Sequence, residues 1–163
     1  MFYGGKENRC ALWQWYNAPM IFPADWNAEL QGLGKLAYAF VLALPVGWYR
    51  EKEAHSVGVR SFPLVAMASC GYVLLGGPPF SLDAQSRIIQ GLVAGIGFIG
   101  GGAILKSESN VHGTATAASI WAFGVVGAAA AQGRYIMAFV IAALNMVALR
   151  VLLPWKAKLD AKK

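Results

Sequence analysis

Charge is scarce in this sequence: of 163 residues only 13% are charged, against roughly 25% in an ordinary soluble domain. A soluble globular protein is therefore a poor fit. Cysteine is nearly absent as well. Cys10 and Cys70 cannot build a disulfide framework, and neither belongs to a CxxC or Cys/His cluster of zinc-site spacing. His55 and His112 stand singly, with no carboxylate or Cys at ligand spacing, and read as loop histidines. No nucleophile, base and orienting group can be assembled from neighbouring positions, so no enzyme and no cofactor is expected. The net charge of +6 is not gathered into a Lys/Arg face with interleaved stacking aromatics. Nucleic acid is accordingly excluded as a partner.

What is present is apolar. Hydrophobic residues make up 57% of the chain, with nineteen Gly, six Trp, six Tyr and eight Phe, and the mean hydropathy is +0.48. A helix needs about 20 mostly apolar residues to cross a ~30 Å hydrocarbon core. Five segments approach that: Leu33 to Tyr49, Phe62 to Gly77, Ile88 to Leu105, Thr114 to Gln132 and Tyr135 to Leu153. Pro78 and Pro79 end the second. The expected fold is all-α, a polytopic transmembrane bundle of about five spanning helices over residues 30–155 with a basic cytoplasmic tail at 156–163. Residues 1–29 read as an aromatic arm, interfacial or an upstream extension, built on Trp13, Trp15, Tyr16, Phe22 and Trp26 and broken by Pro19 and Pro23. No cleavable signal peptide is evident in them.

Lys and Arg set the expected orientation, since short cytoplasmic loops retain them. Nine of them (Arg50, Lys52, Arg60, Lys106, Arg150, Lys156, Lys158, Lys162, Lys163) fall on one side and five (Lys6, Arg9, Lys35, Arg87, Arg134) on the other. This puts the N-terminus outside and the C-terminus in the cytoplasm.

The third segment carries Gly91, Gly95, Gly97, Gly100, Gly101 and Gly102. Gly95 to Gly100 matches GxGxxG, but no strand precedes it and no ribose-binding acid follows, so a dinucleotide site is rejected. Gly101 to Ser107 has Leu105 where a P-loop requires Gly. Two readings stand together. Gly91/Gly95 and Gly97/Gly101, at i, i+4, suit close helix packing, and the triple Gly100 to Gly102 is expected to unwind the helix and expose carbonyls, as broken helices do around ion sites. Ala39/Ala43/Gly47, Gly124/Ala128 and Ala138/Ala142 echo the spacing and suggest a compact bundle or homo-oligomer.

Polar candidates gather at segment ends. Arg50-Glu51-Lys52-Glu53 is either a solvated helix end or an ordered network able to pair across helices or hold a cation such as Mg²⁺. Asp83 and Arg87 are four apart and can pair. Thr114 and Thr116 are expected to bond locally, and Asn145 to bond between helices.

The ordered set of strings resembles the MgtC/SapB family of bacterial inner-membrane proteins. The strings are Gly47-Trp48-Tyr49-Arg50-Glu51, Gly58-Val59-Arg60-Ser61 with Leu64-Val65, Asp83 with Arg87, GLVAGIGFIGGGAI from Gly91, NVHGTATAASIW from Asn110 and Gly133-Arg134-Tyr135, collinear over residues 44–138. The resemblance implies a small polytopic bundle tied to survival under magnesium limitation and, in pathogens, to growth inside phagocytes. It implies regulation of membrane partners, the proton-translocating ATP synthase among them, over magnesium transport itself. Two positions depart from the family pattern: Tyr49 stands where an acidic residue is usual and Ala115 where a second Thr is usual. The chain also ends soon after the fifth segment, where virulence-type members continue into a soluble domain. The site residues carried over are Arg50, Glu51, Arg60, Asp83, Arg87, Asn110, Gly113 and Thr116. The expected function is non-catalytic adaptation to low magnesium or acid stress through contacts with other membrane proteins in the lipid bilayer. The alternative is a cation transporter routed by Asp83, Glu51 and the unwound glycines.

Overall fold

The computed structural model describes residues 25–54, 58–78, 80–107 and 110–160. The chain divides into two units, 1–30 and 31–163. Among the described residues five helices follow in order: α1 (Trp26–Ala54), α2 (Ser61–Leu75), α3 (Leu82–Gly102), α4 (Thr114–Ala131) and α5 (Tyr135–Asp160). Between α3 and α4 lies an antiparallel hairpin of β1 (Leu105–Ser107) and β2 (Asn110–His112), with Lys106 opposite Val111. The fold is all-α, as the apolar segments predict, with this small hairpin as an unforeseen addition.

Each helix is bounded by recognisable chemistry. Asp25 caps α1, its Oδ1 accepting from the Asn27 N–H at 2.9 Å. That places the start of α1 at Trp26, inside the residues read as an aromatic arm and seven residues before the predicted Leu33. Pro45 lies within α1 and Pro63 in the first turn of α2, where its missing N–H is harmless. Ser81 caps α3 through Ala84 N–H at 3.3 Å. At its other end α3 runs helically through Gly100, Gly101 and Gly102, so the expected unwinding does not occur. The turn closes instead through Ala103 N–H to Gly100 O and Ile104 N–H to Gly101 O, both 3.1 Å. Helix α5 continues to Asp160, through most of what reads as a separate basic tail.

Among the described residues two helices, α1 and α4, are long and apolar enough to cross a membrane; α2 and the Tyr135–Val151 part of α5 are shorter apolar stretches. Helix α4 is central, packing on α2, α3 and α5. Water gives no hydrophobic drive between helices inside lipid, so small residues and close backbones must hold the bundle. Gly127 supplies the tightest approach: a Cβ there would strike Ala66 O, Ser69 Cβ and Cys70 N of α2. Gly124 lies under Ile96 of α3. Phe62 and Phe123, both fully buried, meet edge to face at 5.6 Å between centroids. That geometry adds about 0.5 to 1.5 kcal/mol beyond area burial.

Candidate functional site

Helix α1 reaches α4 through two cations. Near one end, Lys35 Nζ donates to Ala131 O at 2.9 Å, placing an ammonium on the negative end of the α4 dipole. Near the other, Arg50 Nη2 donates to Thr116 Oγ1 at 2.5 Å. Both spacings, 35 to 50 and 116 to 131, are fifteen residues, so the clamps lie about 22 Å apart at 1.5 Å per residue. The two helices run antiparallel. Arg50 is only 5% exposed and Thr116 1%. A buried guanidinium requires such acceptors, because an uncompensated charge costs several kcal/mol.

Around Arg50 the chain is folded tightly. Glu51 Oε2 accepts from the Val59 N–H at 3.0 Å. Gly58 is pressed against Glu51, and Gly47 faces Val59 Cα and Gly58 O at 3.0 and 3.2 Å from where a Cβ would lie. The Gly58 carbonyl then accepts from Ser61 N–H at 3.1 Å and Phe62 N–H at 3.3 Å, starting α2 with Arg60 exposed at its cap position. Glu51 therefore braces the α1–α2 connection against its own helix.

Thr116 owes its place to Gly113. That residue has φ +88°, the left-handed region costly to residues with a Cβ, and a Cβ on it would strike the carbonyl of Ala103 at the end of α3. Gly113 O accepts from Ala117 N–H at 2.8 Å, opening α4 one turn before Thr116 is needed. Gly100 faces the same turn, where a Cβ on it would lie 3.4 Å from Ala117 O. Thr116 thus bonds across the bundle, where sequence reasoning expected a local bond. Asn110 lies in β2 immediately before this turn; its side chain lies outside the described residues, as does His55, while His112 is exposed at the strand end.

Tyr49 sits beneath the Arg150 guanidinium at 5.5 Å to the ring centroid, a cation–π contact. Lys52 similarly lies over Trp48 at 5.3 Å.

The remaining predicted residues are elsewhere. Asp83 and Arg87 pair with each other, Nε to Oδ2 at 3.0 Å, both about three-quarters exposed. They belong to the opposite end of the bundle, where Gln85 lines the same cavity as Lys35 and Ala131. Asp83 and Glu51 are therefore not brought together, and no continuous path joins them through an unwound α3. Among the described residues no three of His, Cys, Asp and Glu gather. Gly91, Gly95, Gly97, Gly101 and Gly102 meet nothing among the described residues within 4 Å of where a Cβ would lie. Of the α3 glycines read as packing residues, Gly100 alone packs against the described residues. Asn145 does bridge helices as expected, its Oδ1 accepting from Ser119 Oγ at 2.9 Å. Sequence reasoning passed over Lys35 and Gly127 as site and packing residues; the matched fifteen-residue spacing is the signal that could have found the first.

A bundle of apolar helices, clamped by buried or half-buried cations and with its polar contacts near the helix ends, defines a small helical membrane protein. A profile of the MgtC family matches residues 36–158, and this chain belongs to that family. Protein MgtC of Brucella abortus is 32% identical over 108 residues, 66% of this chain and 45% of that protein. Protein SrpB of Synechococcus elongatus is 34% identical over 108 residues, 58% of this chain and 59% of its own length. The Escherichia coli K12 protein named "Putative magnesium transporter YhiD" is 30% identical over 125 residues, covering 72% and 58%. The chain thus spans about half the length of these curated relatives. No solved structure matches it.

Proposed function

We propose that this chain is a non-catalytic, multi-pass protein of the bacterial inner membrane, N-terminus outside and C-terminus cytoplasmic, acting in adaptation to low magnesium or acid stress by regulating membrane partners. The observation that carries this reading is the disposition of the carboxylates. Glu51 is committed to a backbone N–H and Asp83 to a surface arginine, while Arg50, the one charged residue buried among the described residues, is cationic. A divalent-cation route normally presents carboxylate or carbonyl oxygens deep in the bundle. Glu51 and Arg60, exposed beside the buried Arg50–Thr116 clamp and the Gly113 turn, are the surface such a regulator would present on the cytoplasmic side, and the proton-translocating ATP synthase is a candidate partner.

The second reading, a magnesium transporter, is favoured by the name carried by the Escherichia coli relative. Magnesium flux into liposomes holding the purified protein separates the two, read with an internal indicator dye against empty liposomes and an Asp83→Asn variant. The regulator predicts no flux above empty vesicles from folded protein. Flux abolished by the substitution would establish the transporter.

A further inference from the structure

The geometry points to a binding groove for one anionic phospholipid between α3 and α4, its acyl chain along the groove and its phosphate at Arg134. The groove, about 260 Å³, is walled by Ile89, Leu92 and Val93 on α3 and by Trp121, Val125 and Ala128 on α4, with Gln132 and Arg134 at one end. From Trp121 to Gln132 it follows eleven residues of α4, about 16 Å at 1.5 Å per residue. Half of a ~30 Å hydrocarbon core is about 15 Å, so the groove matches the depth of one leaflet. Gly124 and Ala128 give it depth by presenting almost no side chain along its floor.

Charge complementarity selects the occupant. Among the described residues, three cations lie at this end of the bundle. Lys35 is held by Ala131 O and Arg87 by Asp83. The Arg134 side chain makes no hydrogen bond or ion pair among the described residues, and it stands where a lipid phosphate would meet the groove. A guanidinium donates two parallel N–H groups to a phosphate, with the Gln132 amide beside it. The neighbouring groove on the other flank of α3 provides an internal contrast. It is larger, about 510 Å³, and is lined by Val65, Ser69, Tyr72, Gly91 and Gly95 without any charged residue. Any acyl chain suits that groove; only the Arg134 groove discriminates by headgroup.

The test is native mass spectrometry of the full chain, purified in mild detergent, delipidated and titrated with phosphatidylglycerol or phosphatidylcholine. Phosphatidylglycerol should fill one site about tenfold tighter than phosphatidylcholine does, the effect of one good charge-assisted contact. Arg134→Gln should bring the two lipids to parity, and Arg87→Gln should leave the preference intact. Arg134 is exposed, so its variant keeps the helical circular dichroism of the parent. Ala128→Leu, which fills the groove, should remove the preferential phosphatidylglycerol adduct with Arg134 in place. Equal binding of both lipids by the parent, or a preference that survives Arg134→Gln, overturns the proposal. So does displacement by soluble glycerol phosphate at equal affinity, which would mean an anion site without a lipid groove. A dimer that replaces the lipid and is lost in Ala128→Leu would assign the groove to a second copy and likewise overturn it.

Discussion

Helices α3 and α4 have similar lengths and both are rich in small residues, yet they use them in opposite ways. Helix α3 holds seven times a small or absent side chain between Gly91 and Gly102, and most of its glycines face outward with nothing near them. Helix α4 has only Gly124 and Gly127, and both are buried where another helix touches them. The difference is one of position in the bundle. A central helix surrounded on three sides must lose side chains wherever a neighbour's backbone approaches, whereas a helix on the periphery has no such demand. Glycine density thus marks the sequence conspicuously, but glycine placement against a partner is what fixes the packing.

The strongest challenge to this contrast is Gly127→Leu. Backbone of α2 lies on the side where the new side chain must go, so a loss of about 3 kcal/mol or more is expected. Thermal unfolding in detergent and the yield of monodisperse protein would register it. Gly113→Ala comes next, at about 2 to 3 kcal/mol, because it adds both a left-handed strain and a clash with the Ala103 carbonyl. The same unfolding experiment reads this value, and a Tm equal to the parent's would refute the hairpin geometry.

Thr116→Val tests the Arg50 clamp with a volume nearly conserved. Removing the hydroxyl that accepts the Arg50 N–H should cost about 1.5 to 2 kcal/mol, and a double-mutant cycle with Arg50→Met should return a coupling of at least ~0.5 kcal/mol. Zero coupling would separate the two residues. On α3, Gly95→Ala should change stability by no more than ~1 kcal/mol, in the stabilising direction, since only helix propensity is altered. A loss comparable with that of Gly127→Leu would show that a partner covers this face in the assembled protein. Gly97→Leu is expected to be similarly tolerated within one chain, contrary to what its i, i+4 spacing suggests. The smallest effect belongs to Asp83→Asn, under ~0.5 kcal/mol for an exposed i, i+4 pair.

Much of the architecture was legible in the residues. The five apolar stretches coincide with the five described helices because apolar run length and punctuation by proline, glycine and charge act locally, although only α1 and α4 are long and apolar enough to span a membrane. Helix ends shifted where a cap or a continued turn decided them: Asp25 started α1 early, and the closing of the α3 turn on Gly100 and Gly101 kept that helix wound to Gly102. The hairpin was missed because three-residue strands leave no periodicity to detect. At the site, Arg50, Glu51 and Thr116 stand out in the sequence, yet their partners do not. Glu51 turned to a backbone N–H eight residues on, and Thr116 to a guanidinium sixty-six residues away.

By itself the sequence determined the class of protein, the helices of the described residues and the family, because these follow from composition, run length and the collinear order of short strings. The tertiary structure alone decided which glycines are contacts, that Asp83 and Glu51 lie at opposite ends, and that Arg134, without a side-chain partner among the described residues, is left facing an apolar groove. Such facts depend on which helix becomes central and in what register α1 crosses it. That choice is made by contacts between residues far apart in the chain, and no local pattern encodes it.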